Sequence, residues 1–418
     1  MTREGIGKNI PALELSPAEE RAVHDEAWAL IHHTLEAEDA FNRGGGRIDP
    51  KVWKQVTEND SLRVYKHRRP RKGTSHAGSD YGRDTFHTDL ITPPELLSLR
   101  AHDAVSKSSW RTSVSDAAVS TSSSEGSLID DTLVPELLSV GYIEGDVNDL
   151  NHGAYDGDDL TWKVRSAYLR DKLADARFLA RIETPTYDEP FRFLGIKWFT
   201  TEYPPVVGQF ISQRDTLVIE AIGTSVDHHG FPYSYYLLHD FMHPSIPEVT
   251  APDVVRIRFS FCWISRQVRP DRIGVYSRGR VDIGGDLMKS VGLTLAGISI
   301  ASTANSVETS YNKKLVWLME QEQEQRRLTQ NRQIPGPVPA CHSCRKQPSG
   351  LLSRGLINCQ VCGHHFCSKC SVSKKLVVDV TAPELSLRSL PFCFGCVLKA
   401  KQLSAVEVAR ATIIKNPK

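Results

Sequence analysis

Eight cysteines near the C-terminus form four pairs, each with two residues between: Cys341/Cys344, Cys359/Cys362, Cys367/Cys370 and Cys393/Cys396. A Cys-x2-Cys pair closes a tight knuckle that points two sulfurs at one tetrahedral metal ion. Eight thiolates suffice for two zinc ions, each held by four sulfurs with no open coordination position. Zinc bound in that way is structural, not catalytic. The competing use of paired cysteines is a disulfide framework, which belongs to oxidising compartments. The start, Met1-Thr2-Arg3-Glu4-Gly5, lacks the apolar region of a secretory leader, so a reducing cytosol is the expected compartment. The ninth cysteine, Cys262, lies in an apolar run and reads as a buried core thiol.

Constellations for catalysis are missing. There is no GxSxG, no HExxH and no GxxxxGK; Gly44-Gly45-Gly46 is not followed by Lys-Ser/Thr, and Gly73-Thr74-Ser75-His76 fails the nucleophile-elbow pattern. An enzyme is therefore not expected. The chain has 418 residues, 24% of them charged, and a net charge of +1, which gives no argument for nucleic-acid binding. No run of 18 apolar residues suggests a membrane-spanning helix.

The elements that must position these residues follow from patterning. Ser16-Pro17-Ala18-Glu19 is a capping box with proline at the first helical position, and Val23, Ala27, Leu30, Ile31 and Leu35 recur at helical spacing. His32-His33 read as solvent-facing. A short strand follows at Leu62–Lys66, then the basic run Lys66–Lys72, read as a solvated loop, and a serine-rich flexible insertion at 101–128. Val140–Ile143 suggests a strand and residues 146–172 look mostly helical. Strand candidates then succeed one another at Phe191–Thr200, Thr216–Ile222, Ser234–Asp240, Val254–Ser265 and Ile273–Asp282. Their short connections argue for an antiparallel sheet. In the fourth of them Ile257, Phe259, Phe261 and Trp263 make a wholly apolar face. Residues 286–328 read as one long closing helix with an apolar stripe at Leu287, Val291, Leu295 and Ile298, resumed at Leu315 and Leu318. A Pro-rich linker, 329–340, separates it from the cysteines, and residues 397–411 read as a short amphipathic helix.

The stretch Cys359–Cys370, of the form CxxCGxxFCxxC, resembles the middle of a FYVE-type zinc finger, with the outer pairs at that family's first and last positions. The resemblance implies a cross-brace: Cys341, Cys344, Cys367 and Cys370 on one zinc, Cys359, Cys362, Cys393 and Cys396 on the other. A RING finger is the nearest rival, but it places histidine among its ligands, whereas eight cysteines here fill the series. His364 and His365 then read as spacers, with a ligand role as the alternative. The family's phosphoinositide-reading segments have all departed: they stand here as Gly336–Ala340, Arg354–Gln360 and Pro391–Cys393. Residues 341–400 carry a formal +6, which two tetrathiolate zincs reduce to about +2, a weak attraction for an anionic surface. Leu351, Leu352 and Arg354 are the candidate membrane contacts, with burial in the small domain as the alternative.

An N-terminal helix, an antiparallel sheet and a long closing helix are the layout of the α+β helix-grip fold. Trp53–Tyr65, Phe191–Trp198, Arg214-Asp215 and the closing helix make the chain similar to START domains over roughly residues 16–325. That resemblance implies an apolar tunnel for one lipid (sterol, phospholipid or sphingolipid) under a helical lid. A solidly packed sheet with no ligand is the alternative. Arg214 and Asp215 read as a structural ion pair or a strand-start feature, with a lipid headgroup contact as the alternative. The expected organisation is a tail, 1–15; a START-like domain, 16–328; the linker; and a finger, 341–413, that docks on a membrane, endosomal or other, or on a protein. A non-lipid adaptor whose degenerate finger binds protein is the alternative function.

Overall fold

The computed structural model describes residues 10–59, 61–68, 134–169, 173–201, 212–248, 254–285, 289–328, 340–347, 355–377, 385 and 387–414. The serine-rich stretch 101–128, the basic run beyond Arg68, Gly73–His76, Leu287, the linker prolines, and Leu351, Leu352 and Arg354 lie outside them.

The first helix, α1, is Pro17–Arg43. Its capping box is formed: the Glu19 amide donates to Ser16 Oγ, and the Ser16 amide donates to the Glu19 carboxylate at 2.7 Å. The Ser16 amide and hydroxyl, both donating to the Glu19 carboxylate, hold it below its ordinary range. Gly45 and Gly46 take φ of +81° and +64°, which ends the helix where a side chain would be strained. Two short helices, α2 (Val147–Ala154) and α3 (Asp159–Leu169), fill the region expected to be mostly helical.

Ten strands make one sheet. They are β1 (Trp53–Asn59), β2 (Ser61–His67), β3 (Glu136–Glu144), β4 (Leu173–Glu183), β5 (Phe193–Thr201), β6 (Gln213–Val226), β7 (Pro232–Asp240), β8 (Val254–Arg256), β9 (Arg258–Arg269) and β10 (Arg272–Asp282). The order is β1-β2-β3-β10-β9-β7-β6-β5-β4, antiparallel throughout, with β8 added parallel to β6. Helix α1 covers one face: Val23, Ala27 and Ile31 pack among Leu194, Ile219, Tyr235, Cys262 and Ile264. The other face is closed by α4 (Lys289–Ala301) and α5 (Ser306–Leu328), the first of which places Leu293 and Ile300 against Leu62, Phe261 and Val275. This is the helix-grip fold.

The closing segment is two helices, not one. A 3-10 turn at Ser302–Asn305 divides it, because hydroxyls there bond to backbone carbonyls: Ser302 Oγ to Ser299 and Thr303 Oγ1 to Ile300, each at 2.7 Å. The expected stripe on α4 is also out of phase. Val291 and Ile298 are exposed, while Leu293, Ile300 and Ala301 are buried. Nearly every residue of Val291–Ala301 is apolar or small, so period alone does not choose a face. Leu315 and Leu318 are buried too, against the cysteine-rich region instead of the sheet.

That region holds two small hairpins, β11 (Ile357–Asn358) with β12 (His365–Phe366) and β13 (Ser371–Val377) with β14 (Leu387–Cys393). Two helices follow, α6 (Phe394–Gln402) and α7 (Ala405–Ala409), where the amphipathic reading expected one.

Candidate functional site

One cavity of about 250 Å3 lies between the sheet and the closing helices. Its wall takes side chains from β3 at one side (Ile143) to β4 at the other (Leu173). Six strand spacings separate those two strands, about 29 Å if the sheet were flat. One small cavity touches both, so the sheet curls around it. Alternation on β9 aims Phe259, Phe261 and Trp263 at the cavity and Cys262 and Ile264 at α1. The apolar face read from the sequence is thus the lining. Cys262 is a free thiol, pushed up to about 12 by burial.

The polar part of the wall is organised around Lys197, which is fully buried on β5. Its ammonium donates to Glu220 Oε1 at 2.5 Å, lies 3.8 Å from Asp156, and sits over the Phe178 ring at 4.2 Å and the Trp162 ring at 4.7 Å. Arg165 donates to the same Asp156 at 2.8 Å. Glu220 and Arg165 reach the cavity surface, and Tyr236 donates its hydroxyl to Glu220 at 3.4 Å. Buried charges are tolerable only when paired this closely. Nothing in the sequence marked this group beyond one lysine inside an otherwise apolar strand.

Of the two expected readings of Arg214 and Asp215, the strand-start one holds, since β6 opens at Gln213, and the ion pair between them is not formed. Asp215 instead accepts from Arg256 at 2.6 Å and from Trp198 Nε1 at 3.0 Å, and Arg214 donates to the Ser212 carbonyl. Neighbours on a strand point to opposite faces, whereas Arg256 lies opposite Asp215 in the β6–β8 register. His33, expected in solvent beside His32, is half-buried, and desolvation with Arg278 nearby lowers its pKa.

The cysteines fall into two tetrads. Cys341, Cys344, Cys367 and Cys370 form one, and Cys359, Cys362, Cys393 and Cys396 the other, with sulfurs within 4.8 Å of one another in each. The knuckles are set by backbone bonds: Arg345 N to Cys341 O at 2.8 Å, with Arg345 at φ +59°, and Gly363 N to Cys359 O at 2.9 Å, with Gly363 at φ +73°. In the second tetrad a hydrogen bond from Cys396 draws the Cys359 thiol down to about 4, while Cys396 itself is pushed up. Four sulfurs that close cannot all ionise unless a cation neutralises them. The donor set suits a tetrahedral, thiophilic ion, and each tetrad is interleaved with the other along the chain. His364 stands outside both tetrads, stacked on His342 at 4.1 Å.

The cysteine region is not held by the linker alone. Leu315, Leu318 and Met319 of α5 share a core with Cys341, Cys359, Phe366, Phe392 and Cys396. Buried Lys314 pairs with Asp149 of α2 at 2.7 Å and donates to the carbonyls of Lys401 and Leu403. Ala405 and Ala409 of α7 pack on Tyr155, Phe191, Phe193 and Ile222. Among the described residues no helix is long and apolar enough to cross a membrane.

No protein-family model matches the chain, and no curated protein matches it. Solved structures similar to it include human STARD10 (TM-score 0.36, 9% identity, 69% of this chain and 80% of that one). Human StAR-related lipid transfer protein 5 is similar too (TM-score 0.36, 11% identity, 68% and 97%). A third is a STAR-related lipid transfer protein fragment from Xanthomonas axonopodis (TM-score 0.32, 13% identity, 62% and 96%). At such scores the likeness does not bear on function. What does bear on it is the cavity and the two tetrads.

Proposed function

We propose that the chain is a non-enzymatic lipid-binding or lipid-transfer protein, a START-like carrier with a C-terminal FYVE-type finger holding two structural zinc ions. The carrying observation is the cavity: about 250 Å3, walled chiefly by Phe, Trp, Leu and Ile side chains and roofed by α4. Left empty, such a space forfeits on the order of 6 kcal/mol at about 24 cal/mol per Å3. An apolar ligand recovers those contacts and adds roughly 25 cal/mol per Å2 of its own surface removed from water. The zinc ions would be held by the two cysteine tetrads, and their contribution is folding of the finger. The protein would work in the cytoplasm, docking reversibly on an intracellular membrane.

The test is native mass spectrometry of full-length protein from a eukaryotic host, followed by lipid extraction. A discrete extra mass traced to one lipid class is expected. A chain that carries metal alone, and stays empty after incubation with lipid vesicles, sinks the carrier reading. That result would favour the adaptor, for which the exposed pair Phe394 and Leu398, one turn apart on α6, offers an apolar contact for a protein.

A further inference from the structure

Two residues that line the cavity each hold a buried hydrogen-bond donor without a partner among the described residues: Asn151 Nδ2 and Trp263 Nε1. Asn151 is 2% exposed and Trp263 7%. Buried N–H groups left unpaired are rare, and each one asks for an acceptor. Register places them along the same face of one strand. Asn151 Oδ1 accepts from Ser234 Oγ at 2.5 Å, and Trp263 lies opposite Tyr236 in the β7–β9 pairing, the rings 5.4 Å apart. Ser234 and Tyr236 are two residues apart on one face of β7, about 7 Å along the strand.

We propose that Asn151 and Trp263 donate to oxygen on a small, uncharged polar end of the cavity's ligand, such as a hydroxyl or carbonyl group. This rests on the lipid-carrier reading and names the class of lipid. Charge bookkeeping on the wall excludes an anionic head. Among the described residues that line it the only charges are Arg165 and Glu220, and both are already paired, Arg165 with Asp156 at 2.8 Å and Glu220 with Lys197 at 2.5 Å. A phosphate entering here would also meet the Glu220 carboxylate, in a site too dry to screen it.

The experiment loads the full-length protein from donor vesicles and measures uptake by mass spectrometry. The probes are cholesterol against its 3-deoxy analogue, oleyl alcohol against octadecene, and dioleoyl phosphatidic acid. An oxygen-bearing probe is expected to load about tenfold better than its deoxygenated counterpart, since only it satisfies the buried donors. Trp263→Phe, which removes the N–H and keeps the ring, should shrink that preference severalfold while uptake of the hydrocarbon stays the same. Asn151→Leu, of similar volume, should do likewise; circular dichroism establishes that each variant is folded. Equal loading with and without the oxygen, a preference untouched in both variants, or preferential uptake of phosphatidic acid overturns the polar-end assignment and leaves the carrier reading standing. Failure of every probe to load overturns the carrier reading, and this inference with it.

Discussion

Asp240 ends β7 with its carboxyl desolvated, and burial pushes it up to about 6 despite Arg258 and His239 nearby. A carboxyl whose folded value exceeds its unfolded one releases its proton first in the unfolded chain. Its contribution to stability is therefore intact below about pH 4 and lost as pH rises through about 6. Asp240→Asn should accordingly raise stability at pH 7.5 by about 1–3 kcal/mol, and the gain should vanish near pH 4. Urea melts of both forms at the two pH values measure it; a gain independent of pH would show that the carboxyl's charge is not the cause. Residues of this kind were not legible in the sequence. Paired cysteines announce themselves because a metal ion fixes their spacing. Lys197 and Asp215 depend on partners 23 and 41 positions away, brought to them only by the sheet, and Asp240 on burial that the sheet creates.

At the scale of elements, α2 and α5 meet at a point of close contact. A Cβ added to Gly153 would lie 1.7 Å from the Ser306 carbonyl oxygen, which is backbone and cannot rotate away. Gly153→Ala is expected to drive the start of α5 off α2 at a cost of about 3 kcal/mol or more. Thermal unfolding with the Ala154→Gly variant as a control would show it, and a shift of under one degree would mean the contact is looser than the geometry says. Elements with strong periodicity were readable, including the first helix with its capping box and strands β5, β6, β7 and β10; the run Val254–Ser265, expected as one strand, divides into β8, parallel to β6, and β9. Strand β4 was not readable. Its sequence, Leu-Ala-Asp-Ala-Arg-Phe-Leu-Ala-Arg-Ile-Glu, is rich in helix formers, and pairing along β5 overrides that preference. The break at Ser302 was hidden for the opposite reason: local hydroxyl bonds end a run whose hydrophobicity continues.

For the whole molecule, the decisive feature is that the cysteine region and the helix-grip domain share a core. A finger hung on a proline linker would unfold alone when stripped of metal. Here the α5 side chains Leu315, Leu318 and Met319 share a core with the tetrads, and Lys314 has its ammonium split between Asp149 and the carbonyls of Lys401 and Leu403 at the end of α6. Exposing those three apolar side chains costs about 2 kcal/mol each as an upper bound, and Lys314 would lose neutral partners in a buried site. Metal held by the tetrads would therefore be linked to the fold on both sides of the contact. Elemental analysis should find two zinc ions per chain. Chelation, or Cys367→Ser together with Cys396→Ser, should lower hydrogen-exchange protection in Val147–Ala154 and Ser306–Leu328 as well as in the finger. Because Asn151 lies on that first helix and also lines the cavity, a loaded lipid should leave faster after metal is removed. Protection unchanged in both helices, with only residues 341–414 exchanging freely, would mean that the shared core contributes no coupling and that the finger is an independent unit after all.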